Sequence, residues 1–266
     1  MKNILEEIVA HKKKEVQQQM ELVPTKLLER SIYFGTDVVS MKQYLLRDDK
    51  VGIIAEIKRA SPSTGIIKQH IDVEQLSISY MQAGASALSV LTDSKFFGGS
   101  DADLEIARKF NYCPILRKDF IVDEYQLVQA KSIGADCILL IAACLSPTAC
   151  QQLAAFAKSL GLEVLLEVHD QKEIETHFNP NVDLLGVNNR DLRDFTTDIN
   201  TSIRLAEFMP KDTVKVSESG ITNAAHVIEL KKAGFSGFLI GGHFMKHELP
   251  GVACRELIAE CTRITA

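Results

Sequence analysis

The chain has 266 residues, room for one large α/β domain or two small ones, and 46% of them are hydrophobic, ample for a sizeable core. Thirty basic and 35 acidic residues, mixed along the chain to a net charge of −5, make no case for a nucleic-acid or membrane surface. No apolar run approaches the roughly 20 residues of a membrane span, and Glu6 and Glu7 interrupt the N-terminus before a signal-peptide core can form, so a cytoplasmic location is expected.

Residues 1–48 read as an N-terminal helical extension packed over one end of the main body of the fold. Ile4, Leu5, Ile8 and Val9 recur at helical spacing, Pro24 breaks the pattern, and Val38, Met41, Leu45 and Leu46 resume it. The basic run His11–Lys14 lies among Glu6, Glu7 and Glu15 and reads as a solvated helix face. No linker separates the extension, so residues 1–266 are expected to form a single domain.

The first strand spans Gly52 to Ile57 and carries Glu56 with Lys58 two residues on. Strand side chains alternate, so both charges share a face. Unpaired burial of either would cost several kcal/mol, so they mark either a site or the solvated face of an edge strand. The long connection Arg59–His70, with Ser61-Pro62-Ser63-Thr64-Gly65, is expected to act as a lid.

Beyond it a unit repeats: a helix ending at Gly84, Gly134, Gly161 or Gly234, then a strand at Ala87–Leu91, Cys137–Ile141, Val164–Val168 or Gly237–Gly241. Further apolar runs at Pro114–Leu116, Leu184–Val187 and Val214–Val216 bring the strands to eight. Helix starts fall between them at Asp72, Asp123, Ser146-Pro147, Asp170, Asn200 and Thr222. Near-continuous apolar strands are those of a parallel sheet covered on both faces. With no Gly-x-Gly-x-x-Gly turn after the first strand to suggest an open doubly wound sheet, the expected fold is α/β, a single (β/α)₈ TIM barrel. The six cysteines lack metal-type spacing and read as reduced core thiols. No cofactor is expected, and no metal site.

Polar residues at the C-terminal ends of barrel strands are the expected place for chemistry. Lys118 is in phase with Leu116, Glu167 with Leu165, and Glu218 with Val216, while Asn188 and Arg190 share one side of the sixth strand. With Glu56 and Lys58, these groups would converge on one mouth and neutralise one another enough to stay charged while partly desolvated. Ser219-Gly220 after strand seven and Gly241-Gly242 after strand eight occupy the usual phosphate cradle of such barrels.

Five motifs in this order carry a family resemblance: Ala55–Ser63 (AEIKRASPS), Leu116–Phe120 (LRKDF), Leu166–His169 (LEVH), Gly186–Leu192 (GVNNRDL) and Ser217–Ile221 (SESGI). Together with the helical extension, they make the chain similar to indole-3-glycerol phosphate synthases. The resemblance implies closure of an indole ring in tryptophan biosynthesis, from 1-(2-carboxyphenylamino)-1-deoxyribulose 5-phosphate to indole-3-glycerol phosphate, carbon dioxide and water. It implies Lys118 as general acid on the carbonyl and Glu167 as acid/base in dehydration. Lys58 would hold the substrate carboxylate or phosphate, and Glu56 would orient and charge-balance the lysines. Ser61, Asn188, Arg190, Glu218 and Ser219 would be further substrate contacts, and Gly220, Gly241 and Gly242 would hold the phosphate. The partner is then a phosphorylated small molecule, bound by a monomer or weak homo-oligomer.

Two departures from the family pattern stand out. Gly241-Gly242-His243-Phe244-Met245 replaces the usual phosphate-loop sequence, leaving His243 as a compensating charge or an incidental helix-start residue, and Asp194 stands where threonine is common. The residues also admit a Schiff-base aldolase with Lys118 as nucleophile, or a phosphate-binding barrel without catalysis.

Overall fold

In a computed structural model of the chain, which describes residues 4–191 and 195–265, all eight expected runs are strands. They are β1 (Ile53–Ile57), β2 (Ala87–Leu91), β3 (Ile115–Lys118), β4 (Cys137–Ile141), β5 (Glu163–Val168), β6 (Leu184–Asn188), β7 (Val214–Glu218) and β8 (Gly237–Ile240). Each pairs in parallel with its sequence neighbours, and β8 pairs with β1 to close the barrel. Helices between the strands cover the outside. The four helix-ending glycines all have positive φ (77° to 100°), the left-handed conformation that lets a helix stop and the chain turn into the next strand.

The period of two sorts each strand onto two faces. Ile53, Ala55, Leu88, Val90, Ile138, Leu140, Val164 and Leu166 pack outward in the layer shared with the helices. Ile54, Leu116, Leu139, Leu165, Leu184, Val216 and Leu239 pack inward and fill the barrel. At about 1.5–3 kcal/mol for each fully buried aliphatic side chain, this two-layer burial is the main force holding the architecture. Most charged side chains of the inner face gather at the top of the barrel, with Glu163 at the base of β5 an exception.

Four of the six expected helix starts are capped as read: Asp72, Ser146 and Asp170 accept the N–H three residues on, and Asp123 forms a capping box with Gln126. The other two shift by one position. Asn223 rather than Thr222 caps Ala224–Lys232, and Asn200 is the first helical residue, its N–H donating to the Asp198 carboxylate.

The extension does not keep to one end. Helix α1 (Ile4–Leu22) lies over the C-terminal mouth, where Ile4, Leu5 and Ile8 wall a cavity. The short helix Met41–Leu45 plugs the opposite end. There the Val39 N–H donates to Asp136, and the Met41 and Lys42 N–H groups donate to Glu163 at the start of β5. Nor is the basic run of α1 wholly solvated. Lys12 is 2% exposed and its ammonium lies 2.9–3.0 Å from Glu15, Asp93 and Asp119.

Candidate active site

The cavity, of about 350 Å³, opens at the C-terminal ends of the strands, and every sequence-predicted site residue lines it: Glu56, Lys58, Ser61, Lys118, Glu167, Asn188, Arg190, Glu218, Ser219, Gly220, Gly241 and Gly242. Strand alternation explains the convergence. The inward positions of β1, β3, β5, β6 and β7 hold apolar residues lower down and charged or amide residues at the top.

Lys118 sits at the centre. Its ammonium donates to Glu167 Oε2 and to Glu218 Oε2, both at 2.9 Å. Burial alone would lower its pKa, but Glu167, Glu218 and Glu56 outweigh that and hold it well above the ordinary lysine range. Glu167 also accepts the Asn188 amide at 3.1 Å. Burial pushes Glu167 up, yet Lys118, His169 and the Asn188 hydrogen bond leave it well below the ordinary range. Glu218 goes the other way: burial, reinforced by repulsion from Glu167 and Glu56, overcomes Lys118 and raises it to about 7. Two carboxylates around one ammonium thus differ in proton affinity, the separation expected of an acid/base site.

A second pair, Lys58 and Glu56, lies 2.5 Å apart on β1 and the residue beyond it. The Glu56 carboxylate occupies the space beside Gly241, where a Cβ would fall 2.0 Å from its Oε2. Glu218 depends on a missing side chain in the same way, since a Cβ at Gly186 would lie 2.5 Å from its Oε1. Glycine at both positions is what lets the carboxylates fold into the barrel top.

Around the phosphate-type loops, Ser219 and Phe195 have positive φ (68° and 61°) without being glycine, a cost of about 1–3 kcal/mol each, seen chiefly at functional sites. A Cβ at Gly220 would meet Thr197 at 2.6 Å, whereas nothing lies within 4 Å of one at Gly242. His243 and Lys246 line the same wall. Burial, then His247 and Lys246, lower the pKa of His243, which disfavours its charged form. The Arg190 guanidinium donates to the Phe195 carbonyl at 3.1 Å. Asp194 lies outside the described residues.

The connection after β1 forms a hairpin, Ala60–Ser61 against Gly65–Ile66. Arg59 anchors one end to Asp103 (2.5 and 3.0 Å), and Lys68 anchors the other by donating to the backbone carbonyls of His247 and Glu248. The tip, Pro62 to Thr64, hangs at the cavity rim.

Two features of the site escape sequence reasoning. Ile8, Phe97, Phe120, Leu139 and Ile141 form an apolar wall, yet each of them reads individually as core. His169 belongs to the LEVH motif and, like Glu167, is in phase with Leu165, yet sequence reasoning assigns it no part. Among the described residues no group of His, Cys, Asp and Glu is arranged to hold a metal ion.

Residues 5–257 match the family model for indole-3-glycerol phosphate synthase. The chain is 52% identical over 251 residues to the indole-3-glycerol phosphate synthase of Bacteroides thetaiotaomicron, covering 94% of this chain and 96% of the relative. It is 43% identical over 255 residues to that of Burkholderia vietnamiensis, covering 95% and 98%. Among solved structures it resembles 3-hexulose-6-phosphate synthase from Salmonella typhimurium (TM-score 0.62, 13% identity, 80% of this chain and 99% of that one). It also resembles a tryptophan synthase α-subunit from Pyrococcus furiosus (TM-score 0.59, 14% identity, 80% and 98%). At such identity these two speak for the fold alone. On the family model and the close relatives, the chain belongs to the indole-3-glycerol phosphate synthase family.

Proposed function

We propose that the protein is an indole-3-glycerol-phosphate synthase, a decarboxylating lyase of tryptophan biosynthesis. It closes 1-(2-carboxyphenylamino)-1-deoxyribulose 5-phosphate to indole-3-glycerol phosphate with release of carbon dioxide and water. The observation that carries the reading, beyond family membership, is the ammonium of Lys118 held protonated between two carboxylates of different proton affinity.

Ring closure joins an aromatic carbon to the ketone carbon, and charge builds on the ketone oxygen. Lys118, a protonated donor in a water-poor site, supplies a proton there. The carboxylate on the attacking ring carbon then leaves as carbon dioxide, which restores the aromatic ring. The new hydroxyl departs as water once an acid protonates it, while a base takes the ring nitrogen proton. Glu167 is assigned this acid/base work. Glu218, easier to protonate than an ordinary carboxylate, balances the charge of Lys118 and can hold a proton between steps.

Lys58, oriented by Glu56, meets the substrate carboxylate or phosphate, and Ser61, Asn188, Arg190 and Ser219 are further substrate contacts. Backbone N–H groups at Gly220, Gly241 and Gly242 hold the phosphate, with Lys246 supplying charge. The apolar wall receives the anthranilate ring. Residues 1–266 act as one domain, with 1–48 as its extension, a monomer or weak homo-oligomer in the cytoplasm working without metal or cofactor.

A Schiff-base lysine needs a lowered pKa, the reverse of what surrounds Lys118. The test is direct assay: purified protein with the phosphorylated anthranilate adduct should give fluorescent indole product, and EDTA should leave the rate unchanged. Absence of indole product from folded protein would overturn the reading.

A further inference from the structure

His169 follows Glu167 at the end of β5 and has no part in the chemistry assigned to Lys118, Glu167 and Glu218. Its side chain is 17% exposed, and the ring stands between two carboxylates. Nε2 lies 3.6 Å from Glu167 Oε1, and Nδ1 lies 3.4 Å from Glu173 Oε2. Both distances are longer than a normal hydrogen bond, and neither ring nitrogen has a hydrogen-bond partner or contact with solvent. Glu173, on the helix Gln171–His177, is held toward the ring because it accepts the backbone N–H of His169 at 2.7 Å. Its side chain is 19% exposed against 4% for Glu167, so it reaches water where Glu167 does not.

Other charged or titratable groups near the ring are few. Glu218 on β7 adds to the negative field, and the Cys144 thiol, beside Glu167 and Glu173 on the turn after β4, is neutral because burial and then those two carboxylates push it up to about 12. Burial lowers the pKa of His169, but Glu173, Glu167 and Glu218 outweigh it and raise it, so an imidazolium is accessible near neutral pH.

The reaction needs such a group. The ketone oxygen must collect two protons before it leaves as water, the ring returns one, and the carboxylate departs as carbon dioxide without any. One proton therefore enters from solvent in every turnover, yet the Glu167 side chain is only 4% exposed and Lys118, at 13%, faces the cavity that substrate fills. We propose that His169 is the relay through which that proton reaches the site, taken up on the Glu173 side and delivered from Nε2 to Glu167 Oε1. After delivery the neutral ring turns about its Cβ–Cγ bond, which the long contacts permit, and its bare nitrogen is protonated again beside Glu173. This inference rests on the indole-forming activity proposed for the site.

The test compares wild type with His169→Gln and Glu173→Gln at saturating substrate, across pH, in light and heavy water, and with increasing imidazole buffer. His169→Gln should lower kcat about 10-fold, a modest part of the roughly 10² to 10⁴ general acid–base effect, with KM within about twofold. Its solvent isotope effect should increase, and imidazole should restore the rate in proportion to its concentration. Glu173→Gln should move kcat in the same direction by less. A His169→Gln enzyme with the wild-type pH profile, or one slowed but indifferent to buffer and isotope, would overturn the relay, as would an unaltered Glu173→Gln profile. If wild type itself makes no indole product, it is the assigned activity that fails.

Discussion

At the residue scale, the polarity of the site follows from where single side chains lose water. Lys118 keeps its charge because two carboxylates lie 2.9 Å away, against a burial cost that alone would strip the proton. Lys118→Met keeps the apolar stem and removes the donor. It should lower kcat by about 10² to 10⁴ with the fold intact by circular dichroism, whereas Lys58→Met should raise KM more than it slows turnover. Glu218 makes a prediction about stability. Its folded pKa of about 7 stands above the ordinary 4.5, so folding favours the protonated form, and the cost of burying a second carboxylate accumulates as pH rises from 4.5 to 7. Above pH 7, Glu218→Gln should melt a few degrees higher than wild type (about 2–4 °C per kcal/mol for a chain of this size). The gain should vanish below pH 4.5. A constant difference at all pH values would mean that the carboxylate is not strained by burial. Strand phase was enough to put Lys118, Glu167 and Glu218 on one face, but their bonding to one another spans 49 and 100 residues of sequence and has no local signature.

At the scale of elements, α1 and the hairpin after β1 are the parts that local pattern described least well. The run His11–Lys14 has the composition of a solvated face, yet Lys12 pairs with Asp93 and Asp119, partners about 80 to 107 positions away that only the closed barrel brings near. Asp93 also caps the short helix bearing Phe97, and Asp119 adjoins Lys118, so this buried ion cluster ties α1 to two loops of the mouth. Lys12→Met leaves Asp93 and Asp119 without their shared ammonium and should cost about 3–5 kcal/mol in denaturant unfolding. A loss under about 1 kcal/mol would show that the cluster adds nothing net. The hairpin is expected to close over substrate as a hinged tip, because its ends are held by Arg59 and Lys68. Amide exchange at residues 61–66 should slow when a substrate analogue binds, with little change at 67–70. At the loop proposed to hold the phosphate, a side chain at 241 would strike Glu56 and damage the site directly, while position 242 is open. Gly242→Val is therefore the cleaner probe, and should raise KM several-fold with kcat nearly unchanged.

At the scale of the whole molecule, the barrel was legible because parallel strands covered on both faces leave continuous apolar runs and because each helix-to-strand turn needs its left-handed glycine. The division of labour in the extension was not legible. Both its halves show the same helical hydrophobic spacing, and only the tertiary fold sends α1 to the mouth and Met41–Leu45 to the base. The same barrel that hides its apolar residues in two layers gathers Glu56, Lys58, Lys118, Glu167 and Glu218 at one end, so a single mouth is left to bind an anion, donate a proton and shed carbon dioxide. The most direct measurement of that claim follows indole fluorescence and carbon dioxide in one sample under single turnover, with wild type and Lys118→Met side by side. Wild type should release one carbon dioxide for each indole formed, and Lys118→Met should lose both signals together by about 10² or more. Carbon dioxide release without ring formation, or a variant that closes the ring at the wild-type rate, would contradict the account.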